Sequence, residues 1–184
     1  MVERDLLQVE YTTRDRLVDF VSYGVESVSL GFDRWDEEFV QGPGLYFVIV
    51  TGDHAGGFAD PLGENRWPVD IARIVTRDLD GFVEAARFVG FNRDGAVIIS
   101  ADGTVQRQMV RIKSPSDEAE DEERVNYADW MGTKHLSAIE VSIRPDVLAT
   151  ITLSEESGRM TIFRNGTFDD YPRSNLGGVW RPVE

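Results

Sequence analysis

The sequence predicts an α/β protein in which a central mixed β-sheet is flanked by helices. A β-branched and aromatic run at 45–50, LYFVIV, lies between Pro-Gly and Gly-Asp, which is typical of a buried strand. Apolar residues at helical spacing in 13–23 and 81–89 indicate two amphipathic helices. Apolar runs joined by short turns at 102–103 and 155–158 indicate hairpins. Helices that precede and interrupt such strands predict one mixed sheet covered by helices.

In the N-terminal part, residues 1–65, the pattern predicts helices and strands but no recognisable motif. The first helix is expected to end at Gly24, because glycine is common just after a helix. A short strand at 27–32 and a short helix at 33–39, capped by Asp33, follow. The Gly, Asp and Pro residues of 52–68 predict a loop.

In the middle of the chain, Asp80 is the expected cap of the second helix. The apolar stripe of that helix consists of Phe82, Ala85, Ala86 and Val89. Strands are expected at 95–100 and 104–112, and the acidic, serine- and proline-containing segment 114–124 is expected to be a solvated loop.

In the C-terminal part, a third helix is expected to begin near Gly132-Thr133 and to end before Pro145, since proline disfavours helical geometry in the preceding residue. Strands are expected at 147–154 and 159–166, the second ending in an Asn-Gly turn. The tail 171–184 is expected to be irregular.

Composition limits the classes of function. The chain has 184 residues, 41% of them hydrophobic, so we expect a single domain over residues 1–184. A formal net charge of −14 argues against a nucleic acid or an anionic membrane as partner, because the overall field repels both. Because there is no cysteine, a disulfide framework, a thiolate metal site and a cysteine nucleophile are excluded. A charged N-terminus and short apolar runs predict a cytoplasmic protein without a membrane span.

The acidic composition also concerns the salt in which the protein works. Only two lysines accompany 17 arginines, and 33 acidic residues outnumber both together. Such a composition resembles proteins from organisms that keep molar salt in the cytoplasm, where surface charges are almost fully screened. The alternative is an acidic protein from a cytoplasm of ordinary salt.

Lys134 and His135 stand side by side although the chain has only two lysines and two histidines. They follow Gly132 and Thr133, where the third helix is expected to begin. Thr133 is a suitable cap, and the free amides of a first helical turn bind phosphate readily. Cations there oppose the helix dipole, so an anionic ligand would explain them. The alternative is that both side chains lie on a solvent-exposed helix face.

Two acidic segments are candidates for a metal site. Asp94-Gly95 precedes a buried strand, and Ser154-Glu155-Glu156 follows another. Carboxylate oxygens suit Mg²⁺ and Mn²⁺, whose shell substrate phosphates can complete. Taken singly, each segment is more typical of an ordinary polar turn than of a functional site.

The three segments in this order, DGAVII, GTKHLSA and SEESG, followed by RNG, resemble the diadenylate cyclase (DAC) domain. This domain also forms the N-terminal part of the DNA-integrity-scanning proteins. The family pattern reads Asp-Gly-Ala, Gly-Thr-Arg-His-Arg and Ser-Glu-Glu-Thr-Gly. The resemblance covers roughly residues 70–168 and is that of a divergent, haloarchaeal-type member.

The resemblance implies an enzyme that joins two ATP molecules into cyclic di-AMP and releases two pyrophosphates. Two domains would face each other in a homodimer or a higher homo-oligomer, each holding one ATP and a divalent metal ion, Mn²⁺ or Mg²⁺. It implies catalytic roles for Asp94, Gly95, Lys134 and His135. It implies nucleotide contacts for Ala96, Gly132, Thr133 and Ser154. Asp94 would also bind the metal, together with Glu156 or its rival Glu155.

The sequence departs from the family pattern at two positions. Lys134 replaces the first arginine and loses its bidentate fork, and Leu136 replaces the second and keeps no polar group. Either an active divergent branch or a domain that binds nucleotide without turnover would be consistent with these changes. A third alternative is an unrelated acidic α/β interaction protein. The four tryptophans are expected to be core or interface residues, and His54 is expected to lie in a surface loop.

Overall fold

The described residues of the chain form a five-stranded mixed sheet with helices on both faces, which confirms the predicted α/β class. The computed structural model describes residues 2–52, 56–68, 74–113, 125–178 and 180. The elements along the chain are α1 (Val2–Leu30), β1 (Leu45–Val50), β2 (Ala59–Arg66), α2 (Leu79–Asn92), β3 (Val97–Ser100), β4 (Gln108–Ile112), α3 (Thr133–Ser142), β5 (Val147–Leu153), β6 (Met160–Arg164) and β7 (Thr167–Tyr171).

The strands of the main sheet lie in the order β3-β1-β5-β6-β7. β1 is parallel to β3 and antiparallel to β5, and β5, β6 and β7 continue as antiparallel neighbours. All six residues of β1 are buried, because helices cover both faces of this strand. β2 and β4 form a separate antiparallel pair, which joins the end of β3 through a bridge between Ala96 and Val110.

Alternate residues of β1 enter two different cores. Phe47 and Ile49 pack with α1 and α2 on one face, and Val48 packs with α3 on the other. The ring of Phe82 in α2 stacks on Trp67, with 5.6 Å between ring centroids. The first core combines residues of α1 with residues of β5 and β6, so the two halves of the chain pack together. The single-domain organisation stays a prediction.

The largest differences from the predicted elements are in the N-terminal part. α1 continues through Gly24 to Leu30, so Gly24 does not end the helix and 27–32 is not a strand. Gly24 is needed inside the helix because a Cβ there would lie 2.5 Å from the Phe82 ring. Residues 33–39 form turns and not a helix, and 59–66, expected in a loop, form β2. The pairing of β2 with β4 is a long-range contact that the local Gly, Asp and Pro content does not reveal.

The other elements agree better with the predictions. The four residues of the predicted stripe in α2 are all buried, although Asp78 and not Asp80 caps the helix, its side chain accepting a hydrogen bond from the Gly81 amide. α3 begins at Thr133 and ends before Pro145, as predicted. β7 (Thr167–Tyr171) was not predicted, and it includes only the first residue, Tyr171, of the tail expected to be irregular.

Two predictions concern residues outside the described ones, namely the loop at 114–124 and the loop position of His54. In the described part of the chain, no helix combines the length and the apolar character needed to cross a bilayer.

Candidate functional site

The beginning of α3 and the turn between β5 and β6 line one cleft of about 590 Å³. A volume of this size is typical of sites for small molecules. The lining residues are Trp130, Gly132, Thr133, Lys134, His135, Ser154, Glu155, Glu156, Ser157 and Arg159. Two of the three sequence segments singled out for chemistry are therefore brought together here.

The turn that follows β5 is held rigidly by backbone contacts. The amide of Ser154 donates to the carbonyl of Arg159, and the amide of Gly158 donates to the carbonyl of Ser154. Gly158 has a φ of +69°, and a Cβ there would lie 2.9 Å from the Ser29 hydroxyl oxygen. The amide of Gly42 donates to the carbonyl of Glu155. These contacts fix the backbone that carries the side chains of Glu155 and Glu156.

α3 presents uncapped amides to the cleft. Gly132 is the N-cap residue, and no side chain accepts a hydrogen bond there, so the prediction that Thr133 is the cap is wrong. Thr133 occupies the first helical position because the turn through Gly132 brings the backbone into the helix one residue earlier than expected. The amides of the first turn lack intrahelical acceptors and lie at the positive end of the helix dipole. This arrangement suits an anionic ligand.

Lys134 carries a positive charge close to two carboxylates. Burial lowers the pKa of Lys134 below its ordinary value, while the charges of Glu155 and Asp94 act in the opposite direction. A Cβ added at Gly44 would lie 2.8 Å from the Lys134 Nζ atom and 3.1 Å from the Glu155 Oε2 atom. Gly44 therefore lies directly against both charged groups.

His135 is buried beside the same cleft, with 8% of its surface exposed. Burial and the charge of Lys134 lower the pKa of His135 below its ordinary value, so the ring is neutral at pH 7. Its Nε2 atom has no hydrogen-bond partner among the described residues. A buried ring nitrogen without a partner is expected to find one in a ligand or in water.

Trp130 and Arg159 also line the cleft. The guanidinium of Arg159 lies over the Trp130 ring, 4.5 Å from the ring centroid. The same guanidinium pairs with Asp170 at 3.2 Å between Nη1 and Oδ2. Trp130 also contacts the His135 ring edge-on, with 5.1 Å between centroids. Trp130 is 37% exposed at the cleft and so does not belong to the core, whereas Trp67 is in the core as expected. An interface role for Trp130 stays a prediction.

The third segment, at Asp94, lies next to the cleft without lining it. The Asp94 side chain is exposed, but its charge reaches Lys134. Gly95 has a φ of +104°, and a Cβ there would lie 2.8 Å from the carbonyl oxygen of Val110. The amide of Ala96 donates to that same carbonyl. Contacts with β4 thus explain the glycine at position 95 and occupy the Ala96 amide. The catalytic role of Gly95 and the nucleotide contact of Ala96 stay predictions.

The three predicted metal ligands do not form a cluster by themselves. In the described part of the chain, no three His, Cys, Asp or Glu side chains are grouped so that they could hold a metal ion. Asp94 and Glu155 share Lys134 as a neighbour, whereas the charge of Glu156 acts on His135. One or two carboxylates completed by phosphate oxygens are a typical Mg²⁺ donor set. The residues therefore fit a divalent ion that arrives with a polyphosphate.

Three residues that line the cleft were not among the predicted site residues, namely Trp130, Ser157 and Arg159. Gly44, which lies against Lys134 and Glu155 without lining the cleft, was not among them either. Arg159 directly follows the third segment and Trp130 lies two residues before the second, and this proximity along the chain was the available signal. Gly44 belongs to the Gly-Pro-Gly sequence before β1, which indicated only the start of a strand. Leu136 is 36% exposed and is not among the cleft-lining residues.

Comparison with known proteins agrees with this geometry. Residues 79–168 match the model of the family described as DAC, DisA bacterial checkpoint controller nucleotide-binding. No curated protein is similar enough in sequence to count as a relative.

The solved structures that resemble the chain include the following two. A hypothetical membrane spanning protein from Bacillus cereus has a TM-score of 0.53 and 17% identity, over 82% of this chain and 61% of that one. This chain thus spans less than two thirds of that protein. A double mutant of DacA from Staphylococcus aureus has a TM-score of 0.49 and 18% identity, and the match covers 87% of this chain and 89% of that one. The first of these likenesses concerns the fold alone. The family match covers both cleft segments and the Asp94 segment, so residues 79–168 are similar to the DAC domain.

Proposed function

We propose that the chain is a diadenylate cyclase, which condenses two ATP molecules into cyclic di-AMP and two pyrophosphates. The observation that carries the proposal is the shared cleft of the α3 start and the Ser154–Gly158 turn, within the part of the chain that matches the family. Asp94, from the remaining motif, lies near enough to this cleft for its charge to act on Lys134.

The phosphate chain of ATP would bind at the beginning of α3. The amides of the first turn, the Lys134 ammonium and the unpartnered nitrogen of His135 are the available groups. The Ser154 hydroxyl oxygen accepts a hydrogen bond from the Glu156 amide at 3.3 Å, which leaves its proton free to be donated. Together these groups would hold the α-phosphate in a fixed orientation, which is the main contribution a protein makes to phosphoryl transfer.

A divalent ion would be held by Asp94 and by Glu155 or Glu156, together with phosphate oxygens. The neighbour that Asp94 and Glu155 share, Lys134, supports Glu155 over Glu156 as the second carboxylate. When bound, the ion would offset the negative charge that the carboxylates and the triphosphate bring together.

The reaction needs two chains. The 3′-hydroxyl oxygen of each ribose would attack the α-phosphorus of the ATP on the other chain, while the bond from that phosphorus to pyrophosphate breaks. The exposed carboxylate of Asp94 would orient the hydroxyl and accept its proton. An exposed Asp94 at the rim of the cleft is accessible to a nucleotide held by a second copy.

Mass spectrometry of the reaction mixture tests the proposal. Purified protein is incubated with ATP and Mn²⁺ or Mg²⁺ in concentrated KCl, and cyclic di-AMP and pyrophosphate are expected in a ratio of 1:2. Chelation of the metal should stop product formation. Absence of cyclic di-AMP with either metal would refute the proposal.

The variant Asp94→Asn should abolish the product while the circular dichroism spectrum stays unchanged. Asp102→Asn is the matched control, because Asp102 also precedes a glycine at one end of β3. Its Oδ1 accepts a hydrogen bond from the Thr104 amide, which an asparagine can also accept. If the two variants were equally active, Asp94 would have no role in the reaction.

A second candidate function is nucleotide binding without turnover. Leu136 favours it, because this exposed residue offers no donor where the family pattern has an arginine. Calorimetry would then show binding of ATP or cyclic di-AMP, with no product under any metal. The variant Leu136→Arg would separate the alternatives further, since gain of turnover would identify this position as the missing element.

A further inference from the structure

We propose that Arg159 is a phosphate-binding residue of the cleft, held in place by Trp130 and Asp170. The inference rests on the proposed function, since it names a further contact to the phosphate chain of the same nucleotide. Arg159 and Lys134 are the two lysine or arginine residues that line the cleft in the described part of the chain. In a protein of net charge −14, these cations favour an anion in the cleft, while Glu155 and Glu156, which also line it, would be offset by the divalent ion that accompanies the phosphates.

The contacts of Arg159 orient its guanidinium. One face stacks on the Trp130 ring at 4.5 Å, and one edge pairs with Asp170 through Nη1. The Thr161 hydroxyl donates to the other carboxylate oxygen of Asp170 at 3.2 Å, which fixes this carboxylate in turn. A guanidinium held on one face and one edge has lost most of its conformational freedom before a ligand binds.

The rest of the guanidinium remains available. Arg159 has five N–H donors, and in the described part of the chain Asp170 is its only ion-pair partner. Its side chain is 29% exposed, so the remaining donors can be reached from the cleft. Two N–H groups on one edge of a guanidinium match two oxygens of a phosphate. Arg159 would therefore add a further contact to the phosphate chain bound in the cleft.

Calorimetric titration with sodium tripolyphosphate and with ATP tests this role. For Arg159→Lys and Arg159→Ala, the dissociation constants of both ligands should rise roughly 10- to 100-fold. This increase corresponds to the loss of hydrogen bonds to a charged group. Lysine keeps the charge but loses the fork and the stack, so rescue by lysine should be poor.

Arg144→Lys is the matched control. Arg144 also stacks on an aromatic ring, Phe58 at 4.7 Å, and also pairs with a carboxylate, Asp146 at 3.5 Å, but it does not line the cleft. Its side chain is 30% exposed, nearly the same as that of Arg159. The control should lose as much thermal stability as Arg159→Lys and keep the affinity of the wild type.

The outcomes separate this inference from the proposed activity. If Arg159→Lys binds both ligands as tightly as the wild type, or loses only thermal stability, Arg159 is a structural residue and the inference is wrong, whatever the activity. If the wild type binds tripolyphosphate through Arg159 but never forms cyclic di-AMP, the inference stands and the proposed activity fails. If the wild type binds neither ligand, both are wrong.

Discussion

Gly44 is the residue against which the charged side chains of Lys134 and Glu155 pack. It is not among the residues with positive φ, so an L-amino acid can adopt its backbone conformation. Its lack of a side chain matters because the Lys134 ammonium and the Glu155 carboxylate lie where a Cβ would need room. A glycine that looks like a strand-start signal in the sequence thus shapes the candidate site.

The variant Gly44→Ala should weaken ATP binding several-fold with little effect on folding. The added Cβ displaces the flexible end of Lys134, which costs little stability, and the free energy of unfolding should change by less than about 1 kcal/mol. Calorimetry and urea denaturation measure the two quantities. Gly57→Ala is the control, since a Cβ there meets no atom within 4 Å. Unchanged ATP affinity in Gly44→Ala would show that the position of Lys134 is unimportant for binding.

His135 should make the stability of the protein depend on pH. Burial lowers its pKa in the folded state, so the unfolded chain takes up a proton first as the pH falls. The contribution of His135 is therefore fully present above its unfolded pKa of about 6.5 and is lost as the pH falls from there to the folded value.

The variant His135→Gln tests this pH dependence. The stability of the wild type relative to His135→Gln, measured by urea denaturation, should fall as the pH is lowered from 7.5 to 5.5. Carboxylates common to both proteins largely cancel in the difference. A difference that is constant with pH would mean that the folded protein does not suppress protonation of His135.

The chemistry-bearing residues of the candidate site were visible in the sequence where scarcity or local pattern marked them. Lys134 and His135 stood out because the chain has so few of either, and their place at a helix start followed from Gly132 and Pro145. Arg159 did not stand out, because one arginine among 17 carries no signal. Its role depends on Trp130 and Asp170, which are distant in sequence and which only the folded chain brings to it.

The secondary-structure elements could be predicted where local sequence decides them. β1 and the stripe of α2 follow from hydrophobic patterns, and Asn165-Gly166 gave the β6–β7 turn through its preference for positive φ. α1 was predicted too short because Gly24 reads locally as a helix end. The actual role of Gly24 depends on α2, which is distant in sequence and leaves no space for a side chain at position 24.

The variant Gly24→Ala should therefore destabilise the protein although alanine favours helices. Helix propensity would contribute up to about 1 kcal/mol of stabilisation. The clash with Phe82, whose ring is also packed against Trp67 and Phe47, should cost about 1–3 kcal/mol and exceed it. Urea denaturation measures the net effect.

A double-mutant cycle identifies the cause of that destabilisation. Phe82→Leu makes room for the new Cβ, so the loss in Gly24→Ala/Phe82→Leu should be smaller than the sum of the single losses by about 0.5 kcal/mol or more. Additive losses would mean that the α1–α2 contact is not the reason for the glycine.

At the scale of the whole molecule, the net charge of −14 and the local charges of the cleft act against each other. The overall field opposes the approach of ATP, whereas Lys134, Arg159 and the start of α3 favour binding once the ligand is close. Salt weakens the long-range repulsion more than the short contacts, because the Debye length falls from about 10 Å at 0.1 M to about 3 Å at 1 M. We therefore predict that the protein works best in a concentrated salt solution.

The urea midpoint of the protein should rise between 0.1 M and 2 M KCl, because the excess negative charges repel one another less when they are screened. The triple variant Asp36→Asn/Glu38→Gln/Glu64→Gln changes three exposed residues that do not line the cleft and shifts the net charge from −14 to −11. It should be more stable than the wild type at 0.1 M KCl, and its midpoint should rise less with salt. A wild-type midpoint that does not change with salt, or equal midpoints of the two proteins at 0.1 M, would show that self-repulsion does not limit stability. The composition would then be that of an acidic protein suited to ordinary salt.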